Sequence, residues 1–201
     1  DLSTADVSFH ALREYVPGDD RRHIHWKTTA RTGTLMVRQF EETRRSHLAV
    51  ALSTRLADYG SAADLELAIS AAGSLGLQAL REQRDLSMLT QDGILRSGSG
   101  SMLLDGLTRL EGTDRREGTR ELAAITTDAV PNASVVILVT GTTPTAAELR
   151  SAAAAIPPGI RCLAVRCAEG EPPGRRDIAD LTVLTCGSLD DLPALIRKGT
   201  A

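Results

Sequence analysis

The chain has 201 residues, enough for one domain with an attached arm and enough to bury a core without disulfide or metal support. Its formal net charge of −3, from 23 basic and 26 acidic residues, argues against a protein devoted to nucleic acid, where binding rests on a surplus of Lys and Arg. With 42% hydrophobic but only 2% aromatic residues, the core has to be built mainly from Leu, Val, Ile and Ala.

Residues 1–47 differ from the rest. They hold all four histidines, the only Trp, both Phe and one of the two Tyr. Pro17-Gly18 is a type II turn signal, with glycine supplying the positive φ at the third position. Asp19-Asp20 can cap whatever follows. Leu35 to Phe40 reads as an extended strand, at an edge of the main sheet or in a hairpin beside it. His23 and His25 are two apart and would share one side of a strand. No third or fourth metal ligand accompanies them, so packing is the expected role.

Residues 48–201 alternate strands with helices. His47 to Ser53 is a short apolar run, as in a strand buried on both faces. Residues 61–83 follow a long helical pattern, Leu86 to Gln91 reads as a second strand, and Asp92-Gly93 as a turn. Helices are expected around Leu103 to Leu110 and over residues 119–129. Ser134 to Thr140 (SVVILVT) is the strongest strand signal. Thr145 to Ile156 is an Ala-rich helix stopped by Pro157-Pro158. Ile160 to Val165 and Leu181 to Thr185 are further strands, and Ser188 caps a last helix with Asp190 and Asp191 in its first turn. The alternation implies a doubly wound, mainly parallel sheet flanked by helices. Cys162, Cys167 and Cys186 form no ligand spacing and are odd in number, so they read as small packing residues in a reducing compartment. Cys162 and Cys167 should face opposite sides of one strand. No apolar run reaches the roughly 20 residues a bilayer-spanning helix needs.

One segment carries a specific signature. From Phe9 to Glu42 the chain reads FHALREYVPGDDRRHIHWKTTARTGTLMVRQFEE. The ordered residues are Arg13-Glu14-Tyr15, Pro17-Gly18-Asp19, Arg22, Ile24-His25-Trp26-Lys27, Ala30-Arg31-Thr32-Gly33, Val37-Arg38 and Phe40-Glu41. Together they resemble the bacterial family catalogued as domain of unknown function 58. That resemblance implies a von Willebrand factor A-like α/β fold, a place beside MoxR-type AAA+ ATPases, and a parent chain that follows membrane-spanning segments with this part facing the cytoplasm. The start at Asp1 rather than Met fits an excised soluble part. Arg13, Arg22, Arg31 and Arg38 are planar donors for carboxylate or phosphate, with Glu14, Asp19 and Glu41 as nearby partners. Trp26 offers a face on which a guanidinium can stack. This motif reads either as a salt-bridge network clamping the arm or as a surface that recognises a partner.

The resemblance also implies a metal-ion-dependent adhesion site, with Asp-x-Ser-x-Ser after the first core strand. Here Ser53 stands in place of the Asp, and Arg55 and Ala57 replace the serines. Thr140-Gly141 stands where Asp-Gly is common. A hard cation needs carboxylate oxygens, so the usual site is expected to be lost and no metal or other cofactor is expected. Asp58 and Asp92 lie near strand ends but off the expected spacing. Ser53, Thr54, Arg55, Thr140, Gly141 and Thr142 should still line the crevice at the carboxyl ends of the strands, where open α/β sheets place their ligands.

The chain carries no GxSxG, GxGxxG, Walker A, HExxH or SxxK motif. A catalytic reading rests on His25 or His23 with Asp19. The leading expectation is a non-enzymatic protein-interaction domain whose partner is a MoxR-type ATPase. The alternative is a divalent-metal-dependent ligand-binding domain with an atypical site, and a third reading is purely architectural. Oligomeric state is not legible here.

Overall fold

The computed structural model describes residues 7–42 and 46–200, with side chains described for residues 12–37 and 46–199. The chain forms two compact units, Asp1–Arg45 and Ser46–Ala201.

The first unit is a two-stranded antiparallel sheet of its own. β1 (Val7–Glu14) pairs with β2 (Met36–Glu42), with a register irregularity between Phe9 and Ala11. The strand expected at Leu35 begins one residue later, and β1 was not foreseen. The connection between the strands is ordered residue by residue. Asp19 N–H donates to Val16 O (3.0 Å) around Pro17 and Gly18. Gly18 has φ +113°, the value a type II turn demands at that place and a bulky residue resists. A 3-10 turn (Arg21–His23) follows, then α1 (Trp26–Thr32). His23 and His25 are therefore not on a strand: one closes the 3-10 turn and the other caps α1. Ile24 and Val37 are buried and face each other across a β-bridge.

The second unit is a seven-stranded sheet in the order β5-β4-β3-β6-β7-β9-β8. β3 (Leu48–Leu52), β4 (Leu86–Thr90), β6 (Val135–Thr140), β7 (Arg161–Cys167) and β9 (Leu181–Cys186) run parallel. β5 (Gly93–Leu95) and β8 (Gly174–Ile178) are antiparallel edges. Sequence reading missed both edges, because three residues are too short for a period and Gly174-Arg175-Arg176-Asp177-Ile178 has no apolar run. From β3 the chain builds outward through β4 and β5. It then returns to β6 on the other side of β3 and continues to β7 and β9. The order therefore reverses between β3 and β6, giving the doubly wound arrangement of von Willebrand factor A-like folds.

Helices cover both faces. α2 (Ala62–Arg81), α3 (Gly100–Leu107) and α6 (Leu192–Thr200) lie on one. α4 (Thr119–Ala129) and α5 (Ala146–Ala154) lie on the other. Strand alternation feeds both cores: Val50, Leu52, Ile137 and Val139 point to the α2 side, and Ala49, Ala51, Val136 and Leu138 to the α4–α5 side. Each fully buried Leu or Val adds about 1.5–3 kcal/mol over an exposed one. α2 starts where Ser61 accepts from Asp64 N–H (3.1 Å), and α5 where Thr145 and Glu148 form a reciprocal capping box. Cys167 and Cys186 are buried on the α2 side, and Cys162 packs against the opposite core. Burial pushes the Cys162 thiol up to about 12 and raises Cys167 and Cys186 as well, so these thiols stay protonated and inert near neutral pH. Among the described residues, no helix is long and apolar enough to cross a membrane.

Candidate functional site

Two regions gather the residues that sequence reading singled out. In the arm, Arg13 grips Asp19 through two bonds of 2.7 Å, and Asp19 Oδ2 also accepts from Val16 N–H at 2.9 Å. The Pro17–Gly18 turn is thereby held from inside. These donors, the Arg13 guanidinium first, hold the Asp19 carboxyl at about 2, down from 3.8. Arg22 pairs with its own neighbour Asp20, at 2.9 Å from Nε and 2.7 Å from Nη2 to Oδ2. Asp20 also accepts from Arg22 N–H and so caps the 3-10 turn. Sequence reading gave Asp20 a capping role but missed its ion pair, although adjacent Asp and Arg residues were the available signal.

His25 caps α1: its Nδ1 meets Thr28 Oγ1 at 2.8 Å and accepts from Thr28 N–H at 3.3 Å. Arg31 lies in the last turn of that helix, where a cation suits the macrodipole. Glu14 is exposed at the end of β1, and Tyr15 is half-buried with its N–H on Leu35 O (2.8 Å). Trp26 opens α1 and is 65% exposed; Val16 and Leu35 are exposed too. The side chains of Phe9, Arg38, Phe40 and Glu41 lie outside the described residues.

In the α/β unit, the six crevice residues do come together. Ser53 N–H donates to Val139 O at 2.9 Å, joining the ends of β3 and β6 at the strand-order reversal. Ser53, Thr54, Thr140 and Gly141 are buried, while Arg55 and Thr142 are half-buried. Gly141 is required by close approach, since a Cβ there would sit 2.4 Å from the Asp58 carbonyl. Thr143 N–H in turn donates to that carbonyl at 3.2 Å.

The centre of this network is a residue that spacing had set aside. Asp58, 2% exposed, accepts from Ser53 Oγ at 2.6 Å and from the Arg55 guanidinium at 3.1 Å, one donor on each carboxylate oxygen. Gln91 at the end of β4 ties the strands: its Nε2 donates to Ser53 Oγ (2.9 Å), and its Oε1 accepts from Thr54 N–H (3.0 Å). The Tyr59 hydroxyl donates to Ser53 O, and burial first of all raises that phenol well above its usual value, so it stays a donor. Arg55 Nε reaches Arg115 O at 3.1 Å, while Arg115 pairs with Asp92 at 2.9 Å. Thr140 Oγ1 is buried with no hydrogen-bond partner.

These residues do not fit the divalent cation of an adhesion-type site. A hard cation needs several free oxygens, and here both Asp58 oxygens face donors, one of them a fixed positive charge. Among the described residues no group of three or more His, Cys, Asp or Glu could hold a metal ion. A larger cavity of about 710 Å³ lies at the amino ends of β7 and β9, the opposite end of the sheet from the crevice.

Residues 11–99 match the model of a family described as protein of unknown function DUF58. The matched span runs from the arm through β3, α2, β4 and β5. No curated protein matches the chain.

Proposed function

We propose that this chain, a member of the domain of unknown function 58 family through residues 11–99, is a non-enzymatic protein-interaction domain. Its proposed partner is a MoxR-type AAA+ ATPase, with a membrane-anchored parent chain presenting it to the cytoplasm. The observation that carries this reading is Trp26, a large aromatic left 65% exposed at the start of α1. Exposed tryptophans of this kind are over-represented among residues that dominate protein interfaces. The charged neighbours support it: Arg13 and Arg22 are already engaged by Asp19 and Asp20, so they shape the arm without needing an outside partner. His25 Nδ1 is used as a helix cap and Asp19 is locked in a bidentate pair with Arg13, so the two do not form an acid–base couple with each other.

The test is binding of the purified chain to a MoxR-type ATPase from the same organism, with and without Mg²⁺. Trp26→Ala should weaken binding at least about tenfold while circular dichroism stays unchanged. Binding should not require a metal ion at the domain's own crevice. No binding, or a Trp26→Ala variant that binds like the parent, would overturn the reading.

A further inference from the structure

The arm that exposes Trp26 also exposes the apolar residues Val16 and Leu35 and the cations Arg21, Lys27 and Arg31. From this arrangement we infer that the surface docks on an acidic protein face, an apolar pocket wide enough for an indole and rimmed by Asp and Glu carboxylates. The inference rests on the reading of this domain as a protein-interaction module and names the chemistry that its partner has to offer.

The backbone brings the apolar residues to one end of the arm. Tyr15 N–H donates to Leu35 O and His25 N–H donates to Met36 O, each at 2.8 Å, so the Leu35-Met36 segment is bonded on both sides. Val16 follows the first donor and Trp26 the second, which sets them on the two flanks of Leu35. Exposed apolar side chains scattered singly need no explanation, but three brought together by the same few backbone bonds mark a surface meant to be covered.

Charge decides what covers it. Asp19 and Asp20 are each engaged by an arginine of the arm, which leaves Glu14 as the unpaired carboxylate among its described side chains. Arg21, Lys27 and Arg31 make no side-chain hydrogen bond or ion pair among the described residues. Lys27 adjoins Trp26, and Arg31 lies four residues further along α1, on the same face as Lys27. The whole chain carries −3, so this excess of free positive charge is local to the arm. A partner with an acidic rim is steered onto such a surface and compensates the cations as they lose water. A lipid surface fits less well. Beyond Trp26, α1 holds only Lys, Thr, Ala and Arg, and so lacks the apolar stripe by which helices seat in a bilayer interface.

The experiment measures binding of the full chain to the MoxR-type ATPase at low salt. Lys27→Gln/Arg31→Gln, on exposed positions, should weaken binding by about tenfold with circular dichroism unchanged, chiefly through slower association. Lys27→Arg/Arg31→Lys keeps both charges and should bind like the parent. If Trp26→Ala weakens binding and the neutralised variant binds like the parent, this inference is overturned and the interaction reading stands. No binding of the ATPase overturns both. Trp26 is the only tryptophan in the chain, so its emission reports on this surface directly. Phosphatidylglycerol vesicles should leave that emission unmoved, and a blue shift on them would overturn a protein as the occupant in favour of lipid.

Discussion

Arg13–Asp19 in the arm and Arg55–Asp58 in the crevice join the same two chemical groups in two different settings. The first pair is close and bidentate at 2.7 Å, yet it stands in water. The second is longer at 3.1 Å, yet its carboxylate is 2% exposed. Geometry alone would rank the arm pair as stronger. Solvent reverses the ranking, because a surface pair loses most of its attraction to screening, whereas a buried carboxylate stripped of its partner is left without compensation. The arm pair therefore sets local shape, and the crevice pair is part of the fold's stability.

That contrast can be broken most directly at Arg55. Arg55→Met should lower unfolding free energy by about 2–4 kcal/mol, toward the lower end because the guanidinium keeps some solvent contact. Urea denaturation followed by circular dichroism measures it, and a loss below about 0.5 kcal/mol would place Asp58 among screened surface charges. Next in size, Gly141→Ala drives a Cβ to 2.4 Å from the Asp58 carbonyl and should cost about 1–3 kcal/mol through overpacking. The same denaturation curve reads that loss, and a neutral result would mean the crevice loops move apart freely. The smallest effect belongs to the arm. Asp19 and Asp20 are held at about 2, down from 3.8, by Arg13 and Arg22. Whatever these pairs contribute is complete above the unfolded value and is lost as pH falls from about 4 through 2. Carbon-detected NMR titration of the two carboxyls should show both midpoints near 2; midpoints near 3.8 would dissolve the pairs.

The parallel core was legible because its signal is redundant. SVVILVT is too apolar and too β-branched to be read otherwise, and Ser61, Thr145 and Ser188 announce helix starts by chemistry as well as position. The six crevice residues were legible for a topological reason: strand ends at an order reversal must meet. Asp58 was not legible. It is reached through a 3-10 turn (Leu56–Asp58) that folds the chain back by a distance no spacing rule encodes. Gln91, 38 positions from Ser53, was hidden because long-range side-chain bonds leave no local pattern. His23 and His25 were misplaced for a related reason. A two-residue repeat resembles a strand, but Asp20 and the His25 cap turn that stretch into two short helical pieces.

The sheet's two antiparallel margins bear on how the protein behaves when crowded. An unpaired strand border is a template on which a second chain can extend the ladder. Here one border is only three residues long, and the other presents Arg175, Arg176 and Asp177, all exposed. Short length and mixed charge are two of the devices by which native sheets discourage such growth. Replacing Arg175 and Arg176 with Val would leave the interior untouched yet turn that border into a seed for polymerisation.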